Sequence, residues 1–127
     1  MKYDELKDKL KQLRNEDIIW IIYIGIIIMS WYSNTLERKY FIYNDQISKE
    51  KYRKIMIFIF SILIVVYLYF LKDSFEDLKK LKCTDLDNKK VLTYLSFLGS
   101  LFIFLSGVIF LYIAIKDEEI DIELAFN

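Results

Sequence analysis

The sequence predicts an all-α integral membrane protein with three transmembrane helices and an N-terminal amphipathic juxtamembrane helix. The first observation behind this is the run at 91–115, VLTYLSFLGSLFIFLSGVIFLYIAI. It is twenty-five residues without charge or proline, with Lys89, Lys90 and Lys116 at its ends. About 20 apolar residues suffice to cross a bilayer. The second is that two more apolar segments precede it, at 18–36 and 55–71. The third is composition: 55% hydrophobic and 28% charged residues are sorted into separate blocks, where a soluble domain interleaves them.

Residues 1–17 place Tyr3, Leu6, Leu10 and Leu13 at helical spacing, and Asp4 with Lys7 and Glu5 with Lys9 pair opposite charges one turn apart. This is an amphipathic helix outside the membrane core, solvated or lying on the headgroups. The 3-6-10-13 spacing is also that of a two-heptad coiled-coil seam. A leader as acidic as it is basic, with no small-residue cleavage site, does not read as a signal peptide.

The first span, 18–36, has a charge-free apolar core that Ser33, Asn34, Thr35 and Leu36 extend toward Glu37 and Arg38. Trp20 near one end and Trp31 with Tyr32 near the other suit interfacial anchoring. Gly25 is its only glycine and reads as a packing residue. A polar connecting loop, 37–54, follows, into which Leu36, Tyr40, Tyr43 and Ile47 carry a helical stripe from the end of the span, so the first helix is expected to overshoot the bilayer. Asn44 and Asp45 are the turn candidates, and Ser48 with Glu50 is the expected cap of the next helix.

The second span, 55–71, lies between Lys54 and Lys72, which a helix places about 27 Å apart, close to the hydrocarbon thickness. Bulky on all sides except at Ser61, it is expected to form a wall against its neighbours. In the loop 72–90, Phe75, Leu78 and Leu81 predict a short amphipathic helix ending near Cys83, and Thr84 with Asp87 resembles a capping box for the third span.

In the third span, 91–115, every small or hydroxylated residue falls on one face: Thr93, Ser96, Gly99, Ser100, Ser106, Gly107 and Ala114 share an arc of about 140°. No hydrophobic drive joins helices within hydrocarbon, so close approach at small residues and interhelical hydrogen bonds must do it. These seven are the candidate helix-packing or pore-facing residues. The tail, 116–127, is acidic, and Ile120, Ile122, Leu124 and Phe126 alternate with polar or small residues. That period suits a frayed end, or an extended peptide added to a partner's sheet edge.

Composition also narrows function. Net charge is zero, which gives a nucleic-acid partner no electrostatic support. No histidine and a single cysteine, Cys83, leave no ordinary zinc site, histidine-ligated haem, internal disulfide or histidine triad. The spans hold no ionisable acid or base of the kind that drives coupled transport, and the serines have no base beside them. The expectation is therefore no enzyme, no catalytic residue, no metal and no cofactor.

Two classes of function remain. The first is a non-catalytic membrane subunit or adaptor that acts through helix packing, by self-association or with a partner membrane protein. The second is an oligomeric pore former or membrane-permeabilising effector, holin-like in size and span number alone. Counting Lys and Arg flanking the spans gives eleven on the N-terminal side and seven on the other. This favours a multi-pass protein of the cell membrane with a cytoplasmic N-terminus.

Overall fold

The computed structural model describes residues 2–122 and Leu124. Its fold is all-α, with three helices in series: α1 Tyr3–Tyr43, α2 Gln46–Lys79 and α3 Asp87–Lys116. Each is long and apolar enough to cross a membrane. At 1.5 Å per residue the 41, 34 and 30 residues make rods of about 62, 51 and 45 Å, against a hydrocarbon core of about 30 Å. All three helices therefore continue past the bilayer.

The amphipathic segment before the first span is not a separate helix, because α1 runs through both without a break. No glycine or proline stands between Tyr3 and Ile18 to interrupt the backbone ladder. The connection read as residues 37–54 shortens to Asn44 and Asp45, with 37–43 closing α1 and 46–54 opening α2. Asn44 adopts the left-handed conformation, φ 53°, which asparagine tolerates better than most residues. Asp45 then caps α2: its Oδ1 accepts from the Ile47 N–H at 3.2 Å and its Oδ2 from the Ser48 hydroxyl at 2.7 Å. The cap is thus Asp45, with Ser48 as its donor.

At the other end α2 runs through the second span to Lys79, and the loop helix expected to reach Cys83 is its last two turns. The expected Thr84–Asp87 capping box is not the cap. α3 opens at Leu86 without a side-chain hydrogen bond. Asp85 instead braces the turn before the helix, accepting from the Lys82 N–H at 2.7 Å and pairing with Lys89 at 3.5 Å. Both bonds hold its carboxyl below the ordinary aspartate range, the backbone N–H most strongly.

Helix α2 is the middle of the molecule. It packs antiparallel on α1 along one side and on α3 along another, and among the described residues α1 and α3 do not pack on each other. The core reflects this: Tyr52, Met56, Ile59, Phe60 and Leu63 of α2 are buried, joined by Ile26 and Leu36 of α1 and Ala114 of α3. The wall expected of the second span is therefore two-sided. Most large side chains of α1 and α3 in the spans, among them Ile21, Ile28, Leu95 and Ile109, face outward, as lipid-facing positions must.

The tail does not continue as an alternating extended strand. Asp117 accepts from the Asp121 and Ile122 amides at 3.2 and 2.7 Å, which turns the chain back on itself. Ile120 and Leu124 become buried against the foot of α2 and α3. Phe126, the last member of the expected alternation, lies outside the described residues, as do Glu123 and Ala125.

Candidate functional site

Two arrangements gather the polar and small residues of the spans. The first is the seam between α2 and α3. Thr93, Ser100, Gly107 and Ala114 are spaced by sevens, the period at which successive residues stay on one seam of two wrapped helices. Gly107 and Ala114 are buried, and Thr93 and Ser100 partly so. The Ser74 hydroxyl donates to the Phe70 carbonyl at 2.8 Å and lies 2.8 Å from the Ser100 hydroxyl. At Gly107 the Tyr67 ring fills the space a side chain would take: a Cβ there would stand 3.0 Å from its Cδ2. Aromatic pairs extend the seam both ways, Phe75 with Phe97 at 5.9 Å and Phe60 with Phe110 at 5.7 Å.

The other three residues of the small face lie elsewhere. Ser96, Gly99 and Ser106 are exposed, and a side chain at Gly99 would meet nothing within 4 Å. Gly99 and Ser106 sit at the far edge of the arc, turned from α2. Gly25 in α1 is likewise open. The small face of α3 therefore divides into four residues set against α2, the outward-turned Gly99 and Ser106, and Ser96 at the edge between them.

At the foot, an ion pair and a hydrogen bond to a backbone carbonyl hold the seam beyond the apolar spans. Lys49 Nζ pairs with Glu119 Oε2 at 3.1 Å and lies 5.3 Å from the centre of the Tyr40 ring. Arg53 Nη2 donates to the Ile115 carbonyl at 3.0 Å, one of the carbonyls left without an intrahelical partner at the end of α3. The hydrogen bond to Glu119 holds the Lys49 ammonium above its usual range.

The second arrangement is a cleft of about 290 Å³ floored by α2, with Tyr23 of α1 on one side and Ser96, Ser100 and Ile103 of α3 on the other. It exists because α1 and α3 do not meet. Its floor runs from Tyr67 and Phe70, inside the second span, to Asp73, Ser74 and Asp77 beyond it. Asp73 accepts from Gln12 Nε2 at 3.0 Å. Burial, followed by the charges of Asp77, Glu16 and Glu76, pushes its carboxyl above the ordinary range. Next to the cleft a wider groove of about 610 Å³ separates the start of α1 from the end of α2, with Lys72 and Lys80 among its lining side chains.

Comparison with protein-family models, curated proteins and solved structures finds no match. The site is therefore read from its own chemistry.

Sequence reasoning brought Ser96 and Ser100 forward but missed the cleft they border. Its acids had been placed in a loop helix separate from the second span. The available signal was the spacing of Phe70, Asp73, Ser74 and Asp77, which lie at i, i+3, i+4 and i+7 and so share one face of a continuous helix.

Proposed function

We propose that this chain is a non-catalytic multi-pass membrane subunit or adaptor, held in the cell membrane with its N-terminus in the cytoplasm, that engages a partner through the projecting start of α1. One observation carries the reading. Tyr3, Leu6, Leu10 and Leu13 are all exposed, at 78%, 45%, 57% and 43%, although they form a continuous apolar stripe. Gln12, one face away, is the residue that reaches α2. The stripe thus stands clear of the protein's own packing, in the 3-4 spacing by which helices pair.

The distribution of hydroxyls weighs against the pore reading. Thr93 and Ser61 donate to carbonyls of their own helices, Lys89 and Ile57, and Ser100 is taken up by Ser74. A water-filled pore would ask such groups to face its lumen.

The test is affinity purification of the full chain from membranes beside a Leu6→Glu/Leu10→Glu variant, with dye leakage from liposomes run on both. Partner or self-association lost in the variant, with liposomes sealed, is the expected result. Association unchanged by the two glutamates would overturn the stripe's role. Leakage by the wild type would revive the pore.

A further inference from the structure

The cleft between α1 and α3 joins two chemistries at the level where membrane gives way to water. Tyr67, Phe70 and Ile103 line it within the apolar spans, whereas Asp73 and Asp77 line it just beyond them. It is open sideways because α1 and α3 do not close against one another. Among the described residues neither carboxylate has an ion-pair partner. Among the described residues the Asp73 carboxylate receives only the neutral amide of Gln12, and the Asp77 carboxylate accepts no hydrogen bond. Lys80 acts on Asp73 from the adjoining groove without pairing with it, while Lys79 lies over the Phe75 ring at 4.6 Å and Lys89 pairs with Asp85 at 3.5 Å. Two carboxylates without an ion pair, over an apolar-walled slot, fit a ligand with a cationic head and a hydrocarbon body.

We propose that this cleft binds a membrane lipid with a primary ammonium headgroup, of the phosphatidylethanolamine kind. The headgroup sits between Asp73 and Asp77, and an acyl chain runs along Tyr67, Phe70 and Ile103. This goes beyond the adaptor reading and does not depend on it.

The choice of a primary ammonium follows from the donors and acceptors present. A primary ammonium carries three N–H donors, and carboxylates accept them in charge-assisted bonds. A trimethylammonium has none to give. An anionic headgroup without an amine would meet the two carboxylates with like charge. The lipid phosphate also finds a counter-charge, since Lys72 lines the adjoining groove together with Asp73.

The test is native mass spectrometry of the full chain in one detergent, with phosphatidylethanolamine, phosphatidylcholine and phosphatidylglycerol supplied in turn. The same series is run on Asp73→Asn/Asp77→Asn and on Ile103→Trp, which fills the apolar wall, with helicity checked by circular dichroism. Phosphatidylethanolamine retained about tenfold over the other two is expected, the factor that one charge-assisted hydrogen bond supplies. The preference should vanish in the double variant, and total lipid retention should fall in Ile103→Trp. Equal retention of the three lipids, or a preference that survives both variants, would overturn the site. Displacement by free ethanolamine at equal concentration would overturn the need for the hydrocarbon body.

Discussion

The Ser74 hydroxyl gives its single proton to the Phe70 carbonyl, so the hydroxyl of Ser100, 2.8 Å away, is the donor across the α2–α3 seam. One residue thus takes part in a hydrogen bond within its own helix and in another between helices. Ser100→Ala should remove only the interhelical bond and lower stability by about 0.6 kcal/mol, the average for such bonds within membranes. Ser106→Ala, which faces outward, should be silent. Unfolding by a denaturing detergent in mixed micelles reads the difference.

Seven residues along the same seam, Gly107 lies against the Tyr67 ring. Gly107→Leu must displace the Tyr67 ring and should cost about 1–3 kcal/mol as overpacking. Gly99→Leu adds the same side chain where nothing lies within 4 Å and should leave thermal stability within about 0.5 kcal/mol of wild type. Equal effects of the two substitutions would mean that the seam is not the packing surface.

The tail is held by an ion pair and bent by strain. Ile120 has φ 57°, a left-handed conformation unusual for a β-branched residue and costly by about 1–3 kcal/mol. Ile120→Gly relieves that strain but also removes a buried side chain. Ile120→Asn also tolerates the conformation but puts a polar amide at the buried position, so it carries the same two opposed effects. If strain dominates, both variants should slow proteolysis of the tail; if burial dominates, both should speed it.

Alkaline pH should release the same tail. The ammonium of Lys49 is held above its ordinary value by Glu119. Its contribution is therefore complete below pH 10.5 and is lost as pH rises through the folded-state value. Tail proteolysis should quicken over that range in the wild type. Glu119→Gln should already be fast at neutral pH and change little.

Asp73 works in the opposite sense at neutral pH. Its carboxyl is raised by burial and neighbouring acids, so folding favours the protonated form. Its relative stabilisation is complete below pH 3.8 and lost as pH rises through the folded-state value. Asp73→Asn, whose side-chain oxygen can still accept from Gln12, should therefore raise thermal stability at pH 7. That advantage should shrink as the pH is lowered toward 3.8.

What the sequence alone determined is whatever depends on neighbours along the chain. The lengths of the apolar runs and the lysines that bracket them decide that three helices can cross a membrane. The Asn44–Asp45 turn was equally legible, because a left-handed position is a local event, although the spacing points to Ser48 as the cap where Asp45 supplies it. The small residues of α3 were visible as a face, but sequence could not divide them. Ser100 and Gly107 differ from Gly99 and Ser106 only in which of them α2 covers, and that is set by the antiparallel register of two helices. The tail's alternation misled for the same reason, since an intramolecular surface outside the local pattern, the foot of α2 and α3, captures Ile120 and Leu124. The cleft was hidden most completely, because it is made by two helices that do not touch. Only the tertiary structure decides where α1 and α3 stand apart, and that gap places Asp73 and Asp77 beside Ser96 and Tyr23.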